Sequence, residues 1–171
     1  MECPLPVIGY VRTARTELER TPVQAGANRG EEGVLELAEE YVEGLDGLAG
    51  FDYAWLLSWL DRPDRPLASL TQVPYLLRRE QRRMGIFAMR GPRRPNPIGL
   101  SLVRIVEVIG HTVRFAGVDL LDGTPILDLK PYVTAFDRPP GEPGSGWFDD
   151  VTVAEGTTPE DLAPPGETGR C

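Results

Sequence analysis

The most apolar segment of the chain reads Phe51-Asp52-Tyr53-Ala54-Trp55-Leu56-Leu57-Ser58-Trp59-Leu60. Aromatic and apolar residues alternate along it, which is the period of one face of a β-strand. The opposite face is also apolar, because it carries Ala54, Leu56 and Leu60. We therefore predict a central strand that is buried on both sides.

Six further β-rich runs accompany this segment, at residues 5–11, 33–37, 85–90, 101–109, 112–118 and 126–133. Gly110-His111 is a hairpin signal, and Asp122-Gly123-Thr124-Pro125 reads as a turn. Residues 91–97 contain three prolines and a glycine, so they cannot form regular structure. About seven short strands with little helix predict a mainly β fold, a small barrel or sandwich.

The 171 residues, 41% of them apolar, suit one domain with a real core. We place that domain at residues 1–137. Residues 138–171 form an acidic tail, with seven acids, two arginines, six prolines and six glycines, which we expect to stay irregular. No apolar run approaches the ~20 residues of a membrane span. The N-terminus lacks a signal-peptide pattern, so we expect a cytoplasmic protein without membrane contact.

The single histidine, His111, limits the chemistry of the chain. It excludes metal sites with two or three histidines, and a Ser-His-Asp or Cys-His site would have to use it. Cys3 and Cys171 stand at opposite ends of the chain and form no Cys-x-x-Cys pair. Zinc binding through thiolates is therefore improbable, as is a disulfide in a reducing compartment. We expect no metal.

Basic residues cluster in one segment: seven arginines lie between Arg78 and Arg94, opposed there only by Glu80. Such a patch can attract phosphates even on a protein of net charge −8. The candidates for RNA phosphate contacts are the four that precede residues 85–90, namely Arg78, Arg79, Arg82 and Arg83. The alternative interpretation is a solvated face or a subunit contact.

Two segments contain residues that suit ligand binding better than a simple connection between strands would need. In the first, Arg90-Gly91-Pro92-Arg93-Arg94-Pro95-Asn96-Pro97-Ile98-Gly99-Leu100-Ser101, prolines stiffen a loop that could hold a flat ligand, and Arg90 and Arg94 could pair a carboxylate or phosphate. A stiff connector is the alternative.

The second segment is acidic and surrounds the predicted turn. It reads Asp119-Leu120-Leu121-Asp122-Gly123-Thr124-Pro125, followed by Asp128-Leu129-Lys130-Pro131-Tyr132. One or two of its carboxylates could hold ribose hydroxyls or a cationic centre. Alternatively, Asp122 caps the turn and Asp128 pairs with Lys130.

These segments closely resemble the signatures of the TrmO/TsaA-like (YaeB-like) family. The first signature is similar to Gly85-Ile86-Phe87-Ala88-Met89-Arg90 with Arg94-Pro95-Asn96-Pro97-Ile98-Gly99-Leu100-Ser101, and the second to the acidic segment. The family's N-terminal pattern resembles Ile8-Gly9-Tyr10-Val11-Arg12, Pro22-Val23-Gln24 and Phe51-Asp52-Tyr53-Ala54-Trp55. The resemblance covers roughly residues 5–137. It is to the short form of the family. Longer bacterial members carry a C-terminal domain, where we expect this chain to have only its acidic tail.

The resemblance implies an S-adenosylmethionine-dependent methyltransferase built on a β-barrel rather than a Rossmann sheet, without a metal. Family members are homodimers that bind the cofactor near the subunit contact. The best-known members methylate N6 of threonylcarbamoyl-adenosine, next to the anticodon of tRNA. We therefore expect a homodimer that uses S-adenosyl-L-methionine and has tRNA as its substrate.

The resemblance also implies where the cofactor is bound. The implied contacts are Pro22, Val23, Gln24, Leu60, Asp61, Arg90, Leu100, Asp119, Leu120, Leu121 and Asp122, with Arg94, Pro95, Asn96, Pro97, Ile98 and Gly99 as the scaffold of the loop. The cofactor offers a carboxylate for Arg90, ribose hydroxyls for an aspartate and adenine edges for backbone groups. No catalytic residue is assigned, because in-line methyl transfer depends mainly on alignment and exclusion of water.

Two departures from the family pattern bear on the acceptor. Tyr53 and Asp61 stand where many members have histidine, and the charge of Asp61 beside the donor could alter the acceptor. Together with the expected lack of that C-terminal domain and the net charge, they keep two alternatives open. One is methylation of a small molecule by the same barrel, and the other is a non-catalytic cofactor-binding protein.

Overall fold

The computed structural model describes residues 5–60 and 67–164, so Cys3, Asp61 and Cys171 lie outside the described residues. It contains eight strands: β1 Gly9–Arg12, β2 Glu32–Leu37, β3 Tyr53–Trp59, β4 Thr71–Gln72, β5 Met84–Gly85, β6 Ile98–Ile109, β7 Thr112–Ala116 and β8 Pro125–Pro131. Helical segments in the described residues are short. They are the 3-10 turns Leu18–Arg20, Ala25–Ala27, Glu39–Leu45, Leu48–Gly50, Tyr75–Leu77, Ile86–Ala88 and Gly146–Asp150, and the α-helical turn Thr134–Asp137. None of these described helices has the length and apolar character needed to cross a bilayer.

Six of the strands close into an antiparallel barrel in the order β1-β2-β7-β6-β3-β8, with β1 pairing back onto β8. The predicted hairpin joins β6 to β7, and Gly110 takes the left-handed φ of +56° that its turn requires. The mainly β barrel is therefore confirmed. Its wall has six strands rather than about seven, because β4 and β5 pair only with each other.

The prediction that β3 is buried on both sides is wrong. Ala54, Leu56 and Ser58 are at most 1% exposed, whereas Trp55 and Leu57 on the other face are only half-buried. A closed antiparallel barrel has one interior, and only the inward residues of a strand enter it. Among the outward aromatic residues, Tyr53 is 42% exposed, and the Trp55 ring lies 6.2 Å from the ring of Tyr132, centroid to centroid.

The core fills the barrel with inward-facing aliphatic residues from every wall strand and the ring of Phe115. Its best-buried members are Val11, Leu35, Leu56, Val103, Val113, Phe115, Val118 and Ile126. Burying a side chain of this kind is worth about 1.5–3 kcal/mol, so the core supplies the main driving force for closure. Gly33 leaves room for the Phe115 ring, because a Cβ at residue 33 would lie 2.9 Å from the end of that ring.

Residues 85–90 do not form the predicted strand. Only Gly85 continues the pairing of β5 with β4, and the chain then turns through Ile86–Ala88. The Ile86 N–H donates to the Leu70 carbonyl at 3.0 Å. Ile86 and Met89 are buried while Phe87 is 81% exposed, a spacing of three that fits a 3-10 turn and not a strand.

The tail is irregular as far as it is described, but it lies on the barrel. The Trp147 indole N–H donates to the Ala88 carbonyl at 2.7 Å. Further along, the Val23 N–H donates to the Thr157 carbonyl at 3.0 Å, and the Glu160 N–H donates to the Glu19 carbonyl at 2.9 Å. The tail thus crosses from the 3-10 turn before Arg90 to the loop after β1.

We expect Gly99→Ala to lower the free energy of unfolding by about 1–3 kcal/mol, because the new methyl group overpacks the barrel. A Cβ at Gly99 would lie 2.2 Å from Ser58 Oγ and 3.0 Å from Leu60 Cδ1. Urea unfolding measures the change. Gly30→Ala is the matched control, since no atom lies within 4 Å of a Cβ there.

Ser58→Ala should recover part of the loss when it is combined with Gly99→Ala. Ser58 Oγ is fully buried and lacks a hydrogen-bond partner among the described residues, so its removal alone should be neutral or stabilising. Equal stability of Gly99→Ala and the parent would contradict the close contact of β3 with β6.

Candidate functional site

The carboxylate of Asp119 connects two distant parts of the chain. Its Oδ1 accepts a hydrogen bond from the Ser101 hydroxyl on β6 at 2.7 Å, and its Oδ2 accepts one from the Ala25 N–H at 2.9 Å. Gly117, just after β7, has a φ of +105°, which only glycine adopts without strain. The chain bends there, and Asp119 follows two residues later with its side chain held at the end of the barrel.

Burial raises the pKa of Asp119 from 3.8 to about 6. The hydrogen bonds from Ser101 and Ala25 and the positive charge of Arg90 act in the opposite direction, but they do not offset the loss of water around the carboxylate. Asp119 is thus ionised at neutral pH and titrates far closer to it than an exposed aspartate does. Groups whose pKa is shifted by burial and neighbouring charges concentrate at functional sites.

The predicted contacts Pro22, Val23 and Gln24 lie between Asp119 and the tail. Pro22 is buried, and the Val23 N–H is bound by the Thr157 carbonyl. The Gln24 side chain donates to the Val23 carbonyl at 2.7 Å, and the next residue carries the N–H that binds Asp119. The structure therefore brings this segment and Asp119 together.

The second half of the loop is fixed by Asn28. Its side-chain amide donates to the Val118 carbonyl at 2.7 Å and to Glu31 Oε2 at 2.8 Å. Glu31 is also paired with Arg15 at 2.6 Å, and the hydrogen bond from Arg15 is the main reason that the pKa of Glu31 is lowered. These contacts make the loop a rigid wall beside Asp119.

Arg90 reaches the same region from the other side. One nitrogen of its guanidinium donates to the Leu100 carbonyl at 3.1 Å, and Leu100 precedes the Ser101 that binds Asp119. Arg90 is exposed and forms no ion pair with a described residue, so the rest of its guanidinium is open to an anion. Leu100 itself is 46% exposed on the outer face of β6.

Arg94 is not placed as a second anion-binding partner of Arg90. Its guanidinium donates to the carbonyls of Met89, at 2.9 Å, and Gly91, at 3.4 Å. These bonds hold its own loop in shape. The scaffold role of residues 94–99 stays a prediction.

The rest of that scaffold lies against the end of β3. The Pro97 carbonyl accepts the Leu60 N–H at 2.7 Å, and the Asn96 carbonyl accepts the Ile98 N–H at 2.8 Å, while Pro95 is exposed. Leu60 is therefore adjacent to the scaffold, and Asp61, the residue after it, lies outside the described residues.

The other acidic-segment positions have structural roles. The Leu120 side chain is 4% exposed and belongs to the core. Within the turn, the Leu121 carbonyl accepts the Thr124 hydroxyl at 2.7 Å. Asp122 Oδ1 accepts the Thr13 N–H at 3.2 Å and so ties the turn to the residue after β1. Asp128 pairs with Lys130 at 2.6 Å, as the structural alternative expected.

The four arginines predicted to bind RNA fall into two groups. Arg78 lies 4.4 Å from the centre of the Tyr75 ring and donates to the Pro159 carbonyl of the tail. Arg83 donates to Ser69 and Thr71 and so joins the ends of the β4–β5 sheet. Arg79 and Arg82 are exposed and make no hydrogen bond or ion pair with a described residue.

A cleft beside Arg90 is lined by residues 87–90 and by residues 145–148 of the tail. His111 lies in the β6–β7 turn, at the opposite end of β6 from Leu100, and takes no part in the site. Within residues 5–60 and 67–164, no three His, Cys, Asp or Glu side chains come together as a possible metal cage.

The sequence reasoning missed three contributors to this region: Ser101, Ala25 and Thr157. Ser101 was inside a singled-out motif, but its partner lies 18 residues away. Ala25 and Thr157 act through backbone groups, which carry no side-chain signal.

Comparison with known proteins identifies the family. The profile of the tRNA-methyltransferase O N-terminal domain matches residues 10–138. A probable S-adenosyl-L-methionine-binding protein of Pyrococcus abyssi is 41% identical over 130 residues, covering 76% of this chain and 68% of the relative. The tRNA (adenine(37)-N6)-methyltransferase of Escherichia coli is 36% identical over 132 residues, covering 74% of this chain and 56% of the relative.

The fold agrees with the sequence comparison. A crystal structure of TrmO superimposes with a TM-score of 0.70 at 32% identity, over 84% of this chain and 64% of that one. The chain thus spans somewhat more than half the length of the Escherichia coli enzyme. The matched residues include every described position of the site around Asp119 except those of the tail. The chain belongs to the TrmO family of S-adenosyl-L-methionine-dependent methyltransferases.

Proposed function

We propose that this chain transfers the methyl group of S-adenosyl-L-methionine to N6 of threonylcarbamoyl-adenosine beside the anticodon of tRNA. The observation that carries the proposal is the Asp119 carboxylate, held by Ser101 and Ala25 within reach of the charge of Arg90. The name of the Escherichia coli relative, a tRNA (adenine(37)-N6)-methyltransferase, supports the acceptor.

The residues around Asp119 fit the chemistry of this cofactor. The open side of the Arg90 guanidinium suits its carboxylate, and the Asp119 carboxylate suits ribose hydroxyls or the positive sulfonium. Backbone groups of residues 22–24 and 119–122, with Leu60, Asp61 and Leu100, would complete the site. Residues 94–99 would keep its shape through the hydrogen bonds of Arg94, Asn96 and Pro97.

The role of the protein in such a reaction is mainly positioning. When bound, the cofactor would supply a methyl group on a sulfonium: the N6–C bond would form as the C–S bond breaks, a neutral thioether would leave, and the N6 proton would pass to water. A site preformed by hydrogen bonds between backbone segments aligns this displacement without reorganisation. We assign no general base.

The proposal includes a cytoplasmic homodimer without a metal, in which residues 1–137 form the methyltransferase barrel and residues 138–171 its tail. Exposed apolar residues beside the site, among them Ile98 at 39% and Leu100 at 46% exposure, support a subunit contact close to the cofactor.

The direct test is methyl transfer to tRNA from a strain that lacks this modification. With labelled S-adenosyl-L-methionine and a chelator present, we expect label in methylated threonylcarbamoyl-adenosine after nucleoside mass analysis. Arg90→Ala should reduce the rate at low cofactor concentration at least tenfold, because the guanidinium that holds the cofactor carboxylate is removed.

If calorimetry shows that the cofactor binds but no label appears in tRNA, tRNA is not the acceptor. That result would favour a small-molecule acceptor or a non-catalytic binding protein. Absence of heat at millimolar cofactor would contradict the whole proposal.

Cofactor affinity should depend on pH through Asp119. The pKa of Asp119 is about 6, so below pH 6 the carboxyl is neutral and the affinity should fall by up to tenfold per pH unit. Calorimetry between pH 5 and 8 measures this. Asp119→Asn should bind weakly and lose this pH dependence, whereas the control Asp128→Asn, altered at the exposed pair with Lys130, should follow the parent.

The arginines should determine how tRNA binding responds to salt. Changing Arg79 and Arg82 to Ala should reduce the slope of log affinity against log salt concentration by about two. Each phosphate contact contributes roughly one to that slope. Cofactor affinity should stay at the parent value. Arg83→Ala is unsuitable for this test because Arg83 also joins β4 to β5.

Light scattering on the same double variant separates the two interpretations of the patch. A dimer with weaker, less salt-dependent tRNA binding supports the RNA contact. A monomer would instead identify the patch as a subunit contact, and unchanged tRNA binding would identify it as a solvated face.

A further inference from the structure

The cleft beside Arg90 is built in part from the tail. Trp147 and Phe148 stack with ring centroids 3.8 Å apart and an angle of 25° between their planes. The Trp147 indole N–H donates to the Ala88 carbonyl at 2.7 Å, which fixes the pair on the barrel. The tail therefore brings two ordered aromatic rings to the border of the candidate cofactor site.

Phe87 contributes a third ring to the same cleft. Its side chain is 81% exposed, although Ile86 in the same short turn and Met89 directly after it are buried. The Arg94 guanidinium lies 6.0 Å from the centre of the Phe87 ring, and Arg94 is itself bound to the Met89 carbonyl. An exposed ring beside an immobilised cation is suited to stack on a flat polar partner.

The two sides of the cleft differ in charge, with arginines on the barrel side and an aspartate on the tail side. Arg90 and Arg94 form no ion pair with a described residue. On the tail side, both oxygens of Asp149 accept the Ser145 N–H. A ligand with a flat aromatic body, whose polar edge lies towards the arginines, is therefore complementary to the cleft.

We propose that this cleft binds an unpaired nucleobase of the RNA substrate, which stacks on the Phe87 ring. Bases of single-stranded RNA stack on aromatic side chains and on arginine planes, and every base presents such a face. The inference rests on the proposed function and deepens it. It assigns residues 145–148 of the tail, which lie beyond the matched family region, to substrate binding.

The test measures binding of an anticodon stem-loop RNA to the full chain. Phe87→Leu keeps the apolar character and removes the aromatic face, so the affinity for the RNA should fall about fivefold or more. Phe136→Leu is the matched control, since Phe136 is 85% exposed but does not line the cleft, and it should bind like the parent.

An abasic nucleotide at each loop position identifies the base. At one position the abasic RNA should bind the parent about as weakly as the intact RNA binds Phe87→Leu. The two changes should then not add, because both remove the same stacking contact. Trp147→Phe, which loses the indole hydrogen bond but keeps a ring, should weaken RNA binding less than Trp147→Leu.

The failure of this inference is distinct from the failure of the proposed function. If the parent neither binds nor methylates the RNA, the proposed function is wrong. If the parent methylates tRNA and Phe87→Leu binds RNA as the parent does, only the cleft assignment is wrong. It is also overturned if Phe87→Leu lowers cofactor affinity or changes a dimer into a monomer, since the cleft then belongs to the cofactor or to a second copy of the chain.

Discussion

The hydrogen-bonded carboxylate of Asp119 is the constraint on which the site depends. It joins β6, through Ser101, to the loop after β1, through Ala25. Because its pKa is raised to about 6, its contribution to the free energy of unfolding is greatest below the unfolded value near 3.8 and is lost as the pH rises through 6. An ionised Asp119 at neutral pH therefore costs stability, which is the pattern of a group kept for binding.

The barrel and the tail hold the site from opposite sides. The barrel places Asp119, Ser101 and Leu100 on the end of two neighbouring wall strands. The tail binds the Val23 N–H through Thr157 and the Ala88 carbonyl through Trp147, so it contacts both the loop beside Asp119 and the turn before Arg90. An acidic, proline-rich segment can order in this way because backbone hydrogen bonds and two aromatic rings need no core of their own.

Local patterns in the sequence predicted much of the fold and less of the site. The β6–β7 hairpin and the irregular loop at 91–97 follow from glycine and proline, whose effects are local. The exposed outer face of β3 follows from closure of the barrel, which no single segment encodes. The turn at Ile86–Ala88 likewise depends on a contact with Leu70, 16 residues earlier. The family resemblance singled out Asp119 and Arg90, but two of their partners, the Ala25 N–H and the Leu100 carbonyl, are backbone groups and have no signature.

The central claim is that Asp119 is part of the cofactor site, and an NMR titration of its carboxyl carbon tests it most directly. The Asp119 resonance is assigned by its disappearance in Asp119→Asn. In the free protein it should titrate near pH 6. Saturation with S-adenosyl-L-methionine should lower that midpoint, because a positive sulfonium or donating hydroxyls favour the ionised form. A midpoint that does not change with cofactor would contradict the account.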